Sequence, residues 1–143
     1  LEKELNMTSE EIEEFINSDV AIPVTEKHKR FIERLTKEAV IVSINRHAGG
    51  YRTYFGGKTK TLAFGKDLTG VKWIIGTGGA LTRLPAREKI LNDIGLSNKG
   101  DKLLPTPEAK ILIDNDYIMA SLGVLASLYK EAAIKLLFKS LNF

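Results

Sequence analysis

The sequence predicts an α/β fold, and three observations predict it. From Val71 onward, β-prone apolar runs alternate with helical stretches in the order strand, helix, strand, helix, the order that produces a parallel strand pair with crossover helices. Upstream, two further β-prone runs flank Gly56-Gly57-Lys58, which is a hairpin signal. The chain has 143 residues, 43% hydrophobic and 27% charged, with 12 glycines and 4 prolines, the composition of one globular domain. A compact chain of about 150 residues removes roughly 70% of its unfolded surface from water, enough for a core without disulfide or metal staples.

The elements follow in order. Thr8-Ser9-Glu10-Glu11 ahead of Ile12, Phe15 and Ile16 reads as a capped, short acidic helix ended by Ser18-Asp19, and Asp19 to Thr25 with Pro23 is a connector. Residues 1–24 are therefore set apart from residues 25–143. From Glu26 to His47, apolar residues Phe31, Ile32, Leu35, Ala39, Val40, Val42 and Ile44 fall mostly at helical spacing, and Gly49-Gly50 supplies the stop. Tyr51 to Phe55 and Thr59 to Phe64 are the hairpin strands, and Gly65 to Gly70 is a turn containing Asp67. Val71 to Ile75 is a compact buried strand that breaks into Gly76-Thr77-Gly78-Gly79. A helix is expected from Pro85 to Asp93, with Gly95 as its stop. Lys110 to Ile113 is a second strand, and Asp114-Asn115-Asp116 can cap one long helix to about Ser140. Its first half, Tyr117 to Tyr129, is apolar on every side and is expected to be buried on every side. Gly123 inside it implies close backbone packing that offsets its cost of about 1 kcal/mol relative to alanine.

The absence of cysteine excludes a disulfide scaffold, a thiolate zinc site, an iron-sulfur cluster and a cysteine nucleophile. His28 and His47 stand at opposite ends of one predicted helix, so no transition-metal site is expected. The net charge is +3, but residues 1–20 hold seven acids against Lys3, leaving +9 on the remainder. Such a surface can attract an anion, a nucleotide for example, or can be an ordinary solvated surface. Its basic residues are scattered without aromatic interleaving, so no nucleic-acid partner is expected. The most apolar window, Tyr117 to Tyr129, is 13 residues long. A bilayer span needs about 20, so a soluble, cytoplasmic protein without a membrane partner is expected. The chain starts at Leu1, and the expectation is a piece of a longer protein.

The sharpest chemical feature is Trp73-Ile74-Ile75-Gly76-Thr77-Gly78-Gly79-Ala80-Leu81. A strand that breaks into three glycines within four residues ahead of a helix lets another molecule approach the main chain, or is a tight structural turn. Its G-x-G-G spacing departs from the dinucleotide pattern, because Leu81 stands three residues after Gly78. Gly57-Lys58-Thr59 is not a phosphate loop: Arg52 occupies the position of the required first glycine, and the context is a hairpin. Arg46 and His47 can cap a helix end or meet an anion. Asp67, Asp114 and Asp116 are acid/base or magnesium candidates that turns or caps already explain, and no catalytic constellation is named.

Ile74-Ile75-Gly76-Thr77-Gly78-Gly79-Ala80-Leu81-Thr82-Arg83-Leu84-Pro85 resembles the adenosine motif of the actin, Hsp70 and sugar-kinase ATPase superfamily, in which strand, Gly-Gly turn and helix form the wall for adenine and ribose. Asp116 to Ala126 resembles that superfamily's closing helix. With Arg46-His47-Ala48-Gly49, Gly65-Lys66-Asp67-Leu68-Thr69 and Leu103-Leu104-Pro105, the stretch from about residue 36 to 130 is similar to the MutL-type family associated with cobalamin-dependent glutamate mutase, as distinct from the mismatch-repair proteins of the same name.

The resemblance implies that the chain is the C-terminal part of an actin-like, ribonuclease H-like ATPase domain, residues 25–143 forming its C-terminal lobe. It implies ATP or ADP with magnesium in the full-length protein. Gly76, Thr77, Gly78, Gly79 and Ala80 would face adenosine, and Arg83 would flank the base. It also implies glutamate mutase subunits as partners of a chaperone or reactivating factor. The superfamily's Asp-x-Gly phosphate loop is absent, so hydrolysis by these 143 residues alone is not expected. The alternative is an interaction module with a purely structural glycine turn, and exposed cleft surface could then drive homodimer formation.

Overall fold

The computed structural model describes residues 5–18, 22–56 and 60–143. Helix α1 (Ser9–Asn17) starts in a capping box: Thr8 Oγ1 accepts from the Glu11 amide while the Glu11 carboxylate accepts from the Thr8 amide. Helix α2 (Glu26–His47) is capped by Thr25 and carries α1 at its start. There Phe15 stacks on the buried His28 with ring centroids 4.6 Å apart and tilts against the buried Phe31 at 5.6 Å, while Glu11 pairs with Lys27. Asp19 lies outside the described residues, as do all three residues of Gly57-Lys58-Thr59.

Strands β1 (Gly50–Tyr54) and β2 (Lys60–Phe64) form the expected antiparallel hairpin, in register Gly50 to Phe64 through Tyr54 to Lys60. Apart from Gly50 both strands are exposed. On one face the Arg52 guanidinium lies 4.2 Å from the centre of the Phe64 ring. Its base is clamped by the segment 101–103: Tyr51 N donates to Asp101 O at 3.1 Å and Leu103 N donates to Gly49 O at 2.9 Å. A methyl group at Gly49 would meet the Phe64 carbonyl oxygen and lie 2.8 Å from Gly65 C and 2.9 Å from Lys66 N, so the joint closes only on glycine.

Strands β3 (Trp73–Gly76) and β4 (Lys110–Ile113) pair in parallel, in register Trp73 to Lys110 through Gly76 to Ile113, as the strand, helix, strand order predicts. The crossover holds a short helix α3 (Gly79–Arg83) and helix α4 (Arg87–Leu96). Leu91 and Ile94 of α4 and Ile113 of β4 form the core, with Val40, Ile41 and Ile44 of α2 and Ile74, Leu81 and Ile111 packed against it. Helices α2 and α4 thus cover one sheet face, and the Lys37 to Asp93 ion pair at 2.6 Å ties them along their length.

Several expectations are corrected. The strand at residues 71–75 is not buried on both sides: Trp73 and Ile75 point away from the helices and stay exposed, because no element among the described residues covers that face. The helix expected over Pro85 to Asp93 starts at Arg87, since the Ala86 amide donates to Glu33 Oε1 of α2 at 2.9 Å and fixes the entrance there. It then runs through Gly95, whose missing side chain instead admits Pro107, with Pro107 N 3.0 Å from where a methyl group would sit. The single helix to Ser140 is two helices, α5 (Met119–Leu125) and α6 (Lys130–Ser140). Ser127 Oγ donates to Val124 O at 2.8 Å and the chain tightens through Leu128 N to Leu125 O, a local competition that ends α5. Nor is the stretch from Tyr117 to Tyr129 buried all round, for Val124 is 76% and Leu128 79% exposed. Gly123 has no atom within 4 Å of an added methyl group, so its predicted close packing is absent.

Candidate functional site

The sequence-predicted site residues occupy the C-terminal end of β3 and the start of the crossover. Gly76, the last residue of β3, is buried, and a methyl group there would lie 2.7 Å from Leu91 Cδ1 and 3.0 Å from Ile113 Cδ1. A larger residue there would have to push the ends of these two core side chains aside. Gly78 and Gly79 differ: a methyl group on either meets nothing within 4 Å. Gly78 has φ +93°, a backbone conformation that side-chain-bearing residues avoid. The main chain of the turn therefore faces open space.

That space continues into a cavity of about 330 Å³ lined by Gly79, Ala80, Arg83, Leu84 and Pro85 together with Ile22, Pro23, Lys29 and Ile32. Three predicted residues, Gly79, Ala80 and Arg83, line it, whereas Gly76, Thr77 and Gly78 do not. The contribution of α2 and of residues 22 and 23 was not legible in the sequence, because it depends on how α2 packs across α3. The wall combines apolar side chains with the Arg83 guanidinium and with Lys29, whose ammonium pairs with Glu26 Oε1 at 2.6 Å. Such a surface suits a flat, partly apolar ligand bearing negative charge.

Thr77 turns the other way. Its hydroxyl donates to Asp114 Oδ2 at 2.9 Å. Asp114 follows β4 as Thr77 follows β3, and the parallel register sets them side by side. Asp114 is fully buried, and its carboxylate accepts three more hydrogen bonds: from Met119 N at 2.9 Å, Ile118 N at 3.2 Å and Ser140 Oγ at 2.7 Å. Burial alone pushes this carboxyl up, but the hydrogen bonds from Ser140, Met119, Ile118 and Thr77 together outweigh it and hold the group below its usual value. Asp114 is thus a structural anchor at the entrance of α5, in keeping with the cap expected of it. Asp67 likewise closes a turn, accepting from Thr69 N at 2.9 Å and Thr69 Oγ1 at 2.6 Å. Arg46 and His47 fill the last turn of α2, with His47 Nε2 3.5 Å from Lys66 Nζ. Among the described residues no helix is long and apolar enough to cross a membrane.

The family model described as MutL protein matches residues 1–141. Protein MutL of Clostridium tetanomorphum is 29% identical over 121 residues, which make up 84% of this chain and 26% of the relative. The chain spans about a quarter of the length of that curated relative. No solved structure matches it.

Proposed function

The chain belongs to the MutL protein family, and from that premise we propose that it is the adenosine-holding lobe of an actin-like nucleotide-binding domain whose longer chain serves a cobalamin-dependent glutamate mutase as a chaperone or reactivating factor. Residues 25–143 form the lobe, and residues 1–24 are its acidic appendage. The observation that carries this reading is the open main chain of Gly79, next to the open Gly78, in the wall of a cavity that Arg83 and Lys29 also line. Adenine would lie against the apolar wall of Ile32, Leu84 and Pro85, and the cations would meet the negative charge of ATP or ADP. Positioning is this lobe's contribution. Magnesium and the phosphate-binding loops belong to the rest of the longer chain, so phosphoryl transfer needs both parts. Mutase subunits are the partners this reading assigns.

Gly79→Val is the decisive variant, because the added side chain has room in the fold yet stands in the path of a ligand. Titration of the longer protein with magnesium and ADP is expected to show binding that weakens at least about tenfold in Gly79→Val, with an unchanged melting temperature. No binding by the parent, or equal binding by the variant, overturns the reading. A second reading, a protein-interaction module that also self-associates, is favoured by the exposed Val124, Leu128 and Phe55. In that case light scattering shows concentration-dependent assembly while Gly79→Val changes nothing.

A further inference from the structure

Thr77 is the only residue of the glycine turn whose side chain reaches back into the protein's polar interior, and what it reaches is a hub joining three distant parts of the chain. The Asp114 amide donates to Gly76 O at 2.9 Å, and the Asp114 carbonyl accepts from Thr82 Oγ1 of α3 at 3.1 Å, so the residue brackets the turn on both sides. Its carboxylate then takes Thr77 on Oδ2 and Ser140, at the end of α6, on Oδ1. Ser140 is itself buried and doubly engaged: Oγ accepts from Asp116 N at 3.0 Å, and its carbonyl accepts from Asn115 N at 3.1 Å and Asn115 Nδ2 at 2.9 Å. Between these bonds Tyr117 is held at φ +54°, a costly conformation for a residue with a side chain, which persists only where its surroundings fix it. The cluster reaches along the sequence from Thr77 to Ser140, yet Ser140 lines no part of the cavity.

We propose that Asp114 is the positioning residue of the glycine turn and that, through Ser140, it makes the shape of the turn depend on the docking of α6. With four donors on two carboxylate oxygens, loss of the Ser140 donor frees the carboxylate to turn about its Cβ–Cγ bond and re-aim toward the other three. A displacement of the end of α6 is therefore felt at Thr77, and through Thr77 at the main chain of Gly78 and Gly79. The link to turn geometry stands on the hydrogen bonds alone, whereas its effect on ligand affinity rests on the nucleotide reading above.

The test is residue-resolved amide hydrogen exchange on the protein, comparing the parent with Ser140→Ala, Thr77→Val and Thr77→Ser. Ser140→Ala is expected to speed exchange about tenfold at Asp114 and Thr82, whose amides donate to Gly76 O and Gly78 O of the turn, while leaving Phe31 and Leu91, in the cores under α1 and α4, unchanged. Thr77 is exposed, so Thr77→Val is expected to fold, and it should speed exchange at Ile118 and Met119. Thr77→Ser, which keeps the hydroxyl, should restore the parent pattern. An ADP titration supplies the second readout, with Ser140→Ala expected to bind about tenfold more weakly although it touches no cavity residue. The proposal is overturned if Ser140→Ala leaves Asp114 and Thr82 as protected as before, if it loosens the whole chain evenly, or if Thr77→Ser behaves as Thr77→Val. Should the parent bind no ADP, the nucleotide reading falls and the exchange pattern still decides whether Asp114 positions the turn.

Discussion

Each sheet has two strands, but the parallel pair β3–β4 and the hairpin β1–β2 are held in opposite ways. The parallel pair cannot be joined without a crossover, and that crossover supplies α4, which with α2 covers one sheet face with Leu91, Ile94, Val40, Ile41 and Ile44. Its C-terminal end is closed by the Asp114 cluster. The hairpin needs only a short turn, so its connection brings no helix to cover it, and both its faces lie open along Tyr51, Tyr54, Leu62 and Phe64. Among the described residues it is fixed at its base, where main-chain hydrogen bonds join Gly49 to Lys66 and Leu103, and Tyr51 to Asp101. Similar β-prone sequences thus acquire a core on one side of the molecule and a single backbone joint on the other.

The strongest way to break this contrast is to remove the side chain that closes the parallel unit. Asp114→Ala leaves Thr77 Oγ1, Ser140 Oγ and two main-chain amides without their acceptor, and the expected loss is roughly 3 kcal/mol or more in urea unfolding followed by the fluorescence of Trp73, the single tryptophan. The pH dependence has a definite sign. Because the Asp114 carboxyl is lowered in the folded state, its contribution is fully present above the unfolded carboxylate value of about 3.9 and is lost as pH falls through the lower folded value. The parent should therefore lose stability more steeply below about pH 4 than Asp114→Asn does. A shallow, parallel decline in both would mean that the carboxylate is not what holds the turn.

The hairpin is broken differently, at its joint. Gly49→Ala places a methyl group against the Phe64 carbonyl and the main chain of Gly65 and Lys66, atoms that cannot rotate aside as the ends of Leu91 and Ile113 can around Gly76. A cost of about 2 kcal/mol is expected, with circular dichroism and exchange showing the hairpin amides loosened first. If Gly49→Ala is as stable as the parent, the joint yields more easily than the contrast requires.

How far the sequence reveals the molecule follows the same division. Elements set by local signals are legible: the Thr8 cap, the span of α2, the hairpin and the parallel pair all follow from caps, turns and periodicity. What depends on distant packing is not. The short helix α3 has too few residues to show a period, and Ser127 splits the last helix by a single local hydrogen bond. Burial of Tyr117 to Tyr129 was inferred from composition, which does not say whether a neighbour exists to bury it. At the candidate site the glycines are visible, but their reasons differ. Gly76 makes room for the core, whereas Gly78 and Gly79 border open space. The partnership of Thr77 with Asp114 was within reach, since a parallel register of Gly76 with Ile113 sets the next two residues side by side.

Gly123 gives the smallest expected effect and the sharpest use of the contrast. It lies in α5, directly after the Asp114 cluster, yet its surroundings resemble the hairpin's: an added methyl group touches nothing, and the neighbouring Val124 is largely exposed. No positive φ requires glycine there, so the residue carries the conformational cost of a helical glycine without the packing that would offset it. Gly123→Ala should stabilise the 143-residue chain by up to about 1 kcal/mol, read as a shift of the urea midpoint with an unchanged slope. The same substitution in a longer MutL-family protein asks whether α5 is free there too. If the gain persists, α5 stays open in the longer chain as it is here. A gain in the short chain that turns into a loss in the long one would mean that another part of the protein packs closely over Gly123. The exposed apolar side of α5 would then belong with the parallel unit, as a face that is completed elsewhere in the chain. A loss already in the short chain would contradict the open surroundings of Gly123 and remove α5 from the comparison with the hairpin.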